Sequence, residues 1–305
     1  MKTQTIFLGY IIMILTLIGC YHENELQPSH FDENWYILQD SDDPLDHQRF
    51  LIYKETGIPI FYNDTIGKQN RGVDAFGEPV IYYEILHPDY TITSMTRIST
   101  YELSNQRDDL LTGVNFINDR IIPELISPLM YPRCFLLVKK LTRSSAGTYE
   151  ADCFQGMMTT LVSHVEELKD MSESELHRLA MQIVGEQIGS YLADSCREEL
   201  EEFYNIGRKE INPNASIYNF RLTASSEPPM APVENYGFLS INKLEINNAY
   251  SCVTIAEKRD VMDYVTEIYI NDDTAFREKY KDYPYVLKKF DIMKEIITDM
   301  KTRLK

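Results

Sequence analysis

The sequence predicts an α+β fold. Segments rich in β-branched and aromatic residues dominate the first half, notably Val80 to Leu86, Thr91 to Tyr101 and Cys134 to Val138. Apolar residues at helical spacing dominate the second half, around 173–194, 257–271 and 284–303. Strands and helices segregated in this way, with no internal repeat, describe an α+β domain rather than an alternating α/β one.

Taken in order, Pro44 to Glu55 reads as a short helix, with Asp43 as its cap, Pro44 in its first turn and Gly57 at its end. Ile58 to Tyr62 reads as a strand, with Pro59 at its start or at a sheet edge. Val80 to Leu86 and Thr91 to Tyr101 read as a β pair turning at His87-Pro88-Asp89. Leu110, Val114, Ile117, Ile121 and Leu125 place a helix over about 106–126, which Pro123 ends early. The continuous apolar run Cys134 to Val138 is a buried strand, and Phe154 to Leu161 another. Ser172 and Glu175 have capping-box spacing at the head of the next helix. Residues 205–235, rich in Asn, Ser and Pro, form a long irregular segment, and such loops are often functional. Two helices follow, the last opened by Pro284.

The N-terminus carries a separate signal. Lys2 precedes an apolar run from Ile6 to Ile18 that ends in Leu17-Ile18-Gly19-Cys20. A basic start, a short apolar core and a small residue before a cleavage point describe a secretory signal peptide. The run is short of the about 20 residues that span a bilayer. Leu-Ile-Gly-Cys resembles the bacterial lipobox in all four positions. The resemblance implies removal of the signal and a palmitate-bearing lipid on Cys20. Residues 1–20 are then the signal peptide, 21–43 a polar tether and 44–305 one domain. Tyr21 stands where an inner-membrane retention signal would place Asp, and His22-Glu23-Asn24-Glu25 resembles an acidic surface-export tag. Both point to a lipid-anchored protein of the outer membrane, at the cell surface.

The net charge is −17, which repels phosphate backbones and excludes nucleic acid as a partner. Cys134, Cys153, Cys196 and Cys252 allow three pairings in an oxidising compartment, and buried free thiols are the other reading. No Gly-x-Ser-x-Gly occurs, and Gly147 and Gly156 are isolated, so neither a serine-hydrolase elbow nor a phosphate loop is present. No two of the six histidines are four apart, although His164 and His177 flank the start of the helix at 173. Tyrosine is abundant, at 21 residues; it stacks on sugars and peptides in extracellular grooves and equally fills cores. Glu198 to Glu202 is a solvated helix face.

The chemistry centres on Gly185-Glu186-Gln187-Ile188-Gly189. This is the frame of His-Glu-x-x-His with glycine at both histidine positions. In the intact motif the histidines bind zinc from one helix face and the glutamate activates the metal-bound water. Each glycine inside a helix costs about 1 kcal/mol relative to alanine, so the pair needs a reason. A small-residue packing groove is one reason and a vacated metal site is the other.

With the lipobox, the segment Glu55 to Tyr62, the helix at 173–193, the irregular insert and Arg259 to Val265 in this order, the chain resembles the zinc metallopeptidase lipoproteins of Bacteroidetes that accompany outer-membrane nutrient import. The resemblance covers most of residues 44–303. It implies a zincin-like fold, β-rich in its N-terminal half and helical in its C-terminal half around the motif helix. Glu186 matches the general base, here vestigial. Gly185 and Gly189 occupy the histidine positions. Asp260 matches the Asp of a later Asp-Phe-x-Glu segment, and Asp263 stands where its Glu would be. Glycine ligates nothing, and carboxylates without imidazole suit zinc poorly, so no metal or other cofactor is expected. The resemblance therefore implies a non-catalytic binding or accessory component of an uptake system, with a transporter complex as partner and a peptide or glycan as ligand. The alternative is an active metal-dependent peptidase or hydrolase rebuilt on Glu186, Asp260 and Asp263. Under either, Gly185 and Gly189 are expected to line a cleft with Asp263 close by.

Overall fold

The computed structural model describes residues 33–88, 97–144, 148–223, 232–246 and 249–304. The signal peptide with Cys20, the tether up to residue 32, the first part of the predicted strand from Thr91, and Gly147 lie outside them. Two compact units are distinguished among the described residues: a main one, 35–70 with the described residues from 81 on, and a smaller one, 33–34 with 71–80.

Local chemistry sets the first helix as the sequence predicts. Asp43 Oδ1 accepts from the N–H groups of Leu45 at 3.0 Å and Asp46 at 3.1 Å, which caps α1 (Pro44–Thr56). Pro44 sits in the first turn, where no N–H is needed. Gly57, at φ 77°, takes the left-handed conformation that closes the helix. Strand β1 (Ile60–Phe61) follows Pro59.

The next pairing differs from the sequence reading. Strands β2 (Thr65–Val73) and β3 (Pro79–Ile85) form their own two-stranded sheet. The turn between them, in the smaller unit, is tied by Asp74 Oδ1, which accepts from Phe76 N–H at 2.8 Å and Glu78 N–H at 2.9 Å. The segment ending at Tyr101 instead supplies β4 (Arg97–Glu102), whose partner lies 40 residues on. The polar run Thr-Ile-Gly-Lys-Gln-Asn-Arg-Gly-Val of β2 has no clean apolar alternation, so it gave no strand signal.

Helix α2 (Arg107–Phe116) passes into a π-turn over Ile117–Ile121 and a 3₁₀ turn over Ile122–Glu124, where Pro123 ends it. Five short strands come next: β5 (Phe135–Leu137), β6 (Lys140–Ser144), β7 (Thr148–Glu150), β8 (Cys153–Gln155) and β9 (Thr160–Val162). The segment predicted as one strand, Phe154 to Leu161, is thus a tight reversal between β8 and β9. One sheet has the order β1-β5-β9-β8, parallel except for the β8–β9 edge pair. The other is antiparallel, β4-β6-β7. Strand β5 is buried on both faces, which explains its unbroken apolar run.

Helix α3 (Glu173–Ser195) begins with the predicted capping box: Glu175 N–H donates to Ser172 Oγ at 3.4 Å, and Ser172 N–H to Glu175 Oε2 at 2.8 Å. Helix α4 (Glu201–Asn205) leads into the irregular segment, which contains the short helix α5 (Arg208–Ile211) and strand β10 (Arg221–Thr223). Strands β11 (Ile241–Ile246) and β12 (Ala249–Thr254) complete an antiparallel sheet of order β10-β12-β11. Helices α6 (Glu257–Ile270), α7 (Asp273–Lys279) and α8 (Pro284–Arg303) end the described chain.

The fold is α+β. Alternation along β5 divides the apolar interior. Phe135 and Leu137 join the main core with α1, α2, α3, α6 and α8, while Leu136 faces a smaller cluster with Phe61, Phe154 and Leu161. Cys134, Cys153, Cys196 and Cys252 are all buried free thiols, which settles the pairing question against disulfides. No helix among the described residues is long and apolar enough to cross a membrane.

Ser172→Ala removes one half of the capping box. Urea unfolding is expected to show a loss of about 1 kcal/mol with an unchanged slope; no loss would mean that the box contributes nothing to α3.

Candidate functional site

The motif helix α3 and helix α6 lie backbone to backbone. A Cβ built on Gly185 would fall 2.6 Å from Thr266 Cα, and one on Gly189 would fall 2.7 Å from Met262 Cα. Both glycines are buried. Their spacing of four matches that of Met262 and Thr266, so one helical turn of α3 seats on one turn of α6. The expected cleft is therefore corrected: the Gly185–Gly189 face is a closed helix interface. A side chain at either position would strike backbone, which cannot rotate away as a flexible side chain can.

Glu186 and Asp263, at 6% and 8% side-chain exposure, meet a common cation. Arg259 Nη1 lies 3.5 Å from Glu186 Oε1, and Arg259 Nε lies 2.6 Å from Asp263 Oδ1. Arg259 and Asp263 are one turn apart on α6, a spacing that brings side chains together. Ser240 Oγ donates to Asp263 Oδ2 at 2.5 Å. Burial raises the Asp263 carboxyl pKa, and Arg259 opposes that rise. Asp263 in turn holds the Arg259 guanidinium charged. The Arg259 side chain is 43% exposed as a whole, while its guanidinium faces two sheltered carboxylates. Cys153, also beside Glu186, has its thiol pKa pushed well up by burial first and by that carboxylate second. It is inert as a thiolate ligand or nucleophile.

Asp260 faces a different cation. Its Oδ2 lies 2.6 Å from Lys289 Nζ, and both side chains are fully buried. Tyr218 donates its hydroxyl to the same oxygen at 2.7 Å. The ammonium is ringed by Phe238 at 4.5 Å, Phe203 at 4.7 Å, Tyr218 at 5.6 Å and Tyr264 at 5.8 Å. Aromatic faces attract a cation, which offsets part of its lost hydration. Burial raises the Asp260 pKa and lowers that of Lys289, and each partner opposes the other's shift. Asp260 Oδ1 has no hydrogen bond among the described residues.

Helices α3 and α6 thus bring Glu186 and Asp263 to one cation, while Asp260 goes to another. Three carboxylates face two organic cations. Chemically this is a charge clamp. Arg259, Lys289 and Tyr218 were missed in the sequence. The Arg259–Asp263 spacing was a usable signal, as was a lysine beside Val286 and Phe290 on the apolar stripe of the last helix.

Beside the clamp a cavity of about 600 Å³ opens among Arg197, Glu198, Tyr204, Arg208, Tyr218 and Glu257. Arg197 Nη1 lies 3.0 Å from Glu257 Oε2. The Tyr204 and Tyr218 rings meet edge to face at 5.7 Å. Tyr218 links this opening to buried Asp260 through its hydroxyl. Arg208 and Tyr218 come from the irregular segment that composition marked as a functional loop. His177 is exposed, and His164 lies among carboxylates instead, Asp152 and Glu167 at 3.1 Å each.

Lys289→Met leaves Asp260 buried without a counterion, and its expected cost is about 3–5 kcal/mol in denaturant unfolding. Adding Asp260→Leu should recover more than half of that loss; an unrecovered double variant would show that the pair acts through shape and not charge. Restoring the motif with Gly185→His and Gly189→His is expected to lower the thermal midpoint sharply without any gain in zinc content, because α6 occupies the space. Comparison with protein-family models, with curated proteins and with solved structures finds no match, so these side chains are the evidence from which a function is argued.

Proposed function

We propose that this protein is a lipoprotein, held at the outer-membrane surface through Cys20, with a zincin-like domain whose motif carboxylates are engaged in ion pairs. It acts as a non-catalytic binding component of an uptake system. The cavity at Tyr204 and Tyr218 receives the ligand, a peptide or a glycan. Arg197, Arg208, Glu198 and Glu257 supply polar contacts there, and the buried Tyr204 and Tyr218 line it only in small part.

One observation carries the non-catalytic reading. Arg259 reaches both Glu186 and Asp263, and Lys289 neutralises Asp260. A metal placed among these carboxylates would have to displace cations already bonded to them. The rebuilt peptidase on Glu186, Asp260 and Asp263 finds no support in that arrangement. The lipobox supports the anchor, and the tether between Cys20 and α1 supplies reach.

Three measurements test the reading. Cells fed labelled palmitate should label the wild type and not Cys20→Ser. The purified protein should hydrolyse no member of a peptide library with zinc, manganese or cobalt, while a glycan and peptide array should show binding that Tyr204→Ala reduces at least about tenfold, equivalent to 1.4 kcal/mol. Hydrolysis that disappears in Glu186→Gln would overturn the proposal.

A further inference from the structure

We propose that Glu150, His164 and Glu167 form a site for a divalent transition metal of the zinc class, with Asp152 orienting the histidine. This site is separate from the Glu186 cluster and does not depend on the function proposed above.

The donor atoms already converge. One ligand atom from each of Glu150, His164 and Glu167 lies within 4.8 Å of the other two. A tetrahedral zinc with bonds of about 2.0–2.1 Å sets its donors about 3.3 Å apart. Closing that gap requires small rotations of two exposed glutamates, which cost little. His164 is the fixed member, with its side chain 14% exposed. Backbone bonds hold its loop to the sheet: Ser163 N–H to Asp152 C=O at 3.0 Å, and Val165 N–H to Val138 C=O at 3.3 Å.

The two ring nitrogens have different surroundings. Nε2 lies 3.1 Å from Asp152 Oδ1, and Asp152 is itself held by Arg178 Nη1 at 3.1 Å on Oδ2. Nδ1 lies 3.1 Å from Glu167 Oε2. With Nε2–H donating to Asp152, Nδ1 presents its lone pair on the side of Glu167. A carboxylate behind a metal-binding histidine is the usual device that sets the tautomer and strengthens the ligand. One imidazole and two carboxylates leave the fourth position to water, a donor set that suits zinc. Lys140 Nζ, 3.2 Å from Glu150 Oε2, is the cation that the metal displaces. The ion would clamp β7 to the turn that leads into α3.

The test is titration of the purified full chain with zinc, and with cobalt as a spectroscopic probe. We expect one metal per chain and visible cobalt bands of a four-coordinate site. His164→Asn is the informative variant, because His164 sits at φ 65° and asparagine tolerates that backbone. It should lose at least about tenfold in affinity, as should Glu150→Gln, which lies at the surface and leaves the fold intact; Asp152→Asn should lose about 10–100-fold. His177→Ala should bind as the wild type does. Absence of saturable binding in the wild type, or unchanged affinity in folded His164→Asn, would overturn the proposal and leave a protonated His164 bridging Asp152 and Glu167.

Discussion

Contact between α3 and α6 organises the main unit. Gly185 and Gly189 remove the side chains that would separate the helices, and Met262 and Thr266 move into that space. Close approach brings the first three turns of α6 beside the middle of α3. Only then can Arg259 reach Glu186 across the interface while bonding Asp263 on its own helix. Packing and electrostatics are coupled here, since widening the helix gap would leave two sheltered carboxylates with a distant counterion.

Placing ionised groups in such an interface is expensive, and the arrangement offsets that cost in two ways. Arg259 keeps part of its side chain at the surface, and the attraction of Asp263 outweighs the desolvation of its charge. Lys289 has no such exit and relies on Asp260, Tyr218 and the surrounding rings. A buried pair of this kind adds less to stability than apolar residues of the same volume would. Its value lies in registry: Asp260 on α6, Lys289 on α8 and Tyr218 in the irregular segment are joined at one oxygen. That segment is thereby fixed where it walls the cavity.

The sheet side is organised by burial rather than charge. Strand β5 lies between β1 and β9, with apolar clusters on both faces. Cys134, Cys153 and Cys196 sit in these clusters as separate small apolar groups, and Cys252 is buried outside them. Its antiparallel edge, β8, leads from Asp152 to Cys153 beside Glu186, and the turn after β9 carries His164 back to Asp152. One short edge strand thus borders both the ion-paired motif and the Glu150–His164–Glu167 group.

What the sequence determined by itself was local. Asp43, Pro44 and Gly57 set the limits of α1, Ser172 and Glu175 start α3, Pro123 ends a helix, and the run around Phe135 declares a doubly buried strand. Each acts within a few residues, through a cap, a missing N–H or an apolar period. Strand partners were decided elsewhere: β3 joins β2 through the Asp74 turn, and β4 joins β6, because pairing depends on distant chain and not on the strand's own pattern. The motif followed the same division. Its sequence located Glu186, Asp260 and Asp263 and allowed two reasons for the glycines. Tertiary structure chose packing, because α6 fills the glycine face, and it chose the partners of the carboxylates. The Arg259–Asp263 pair is local to one turn of α6, but Arg259 reaches Glu186, and Lys289 and Tyr218 reach Asp260, only after separate segments come together, and no spacing along one chain encodes a distance across a folded core.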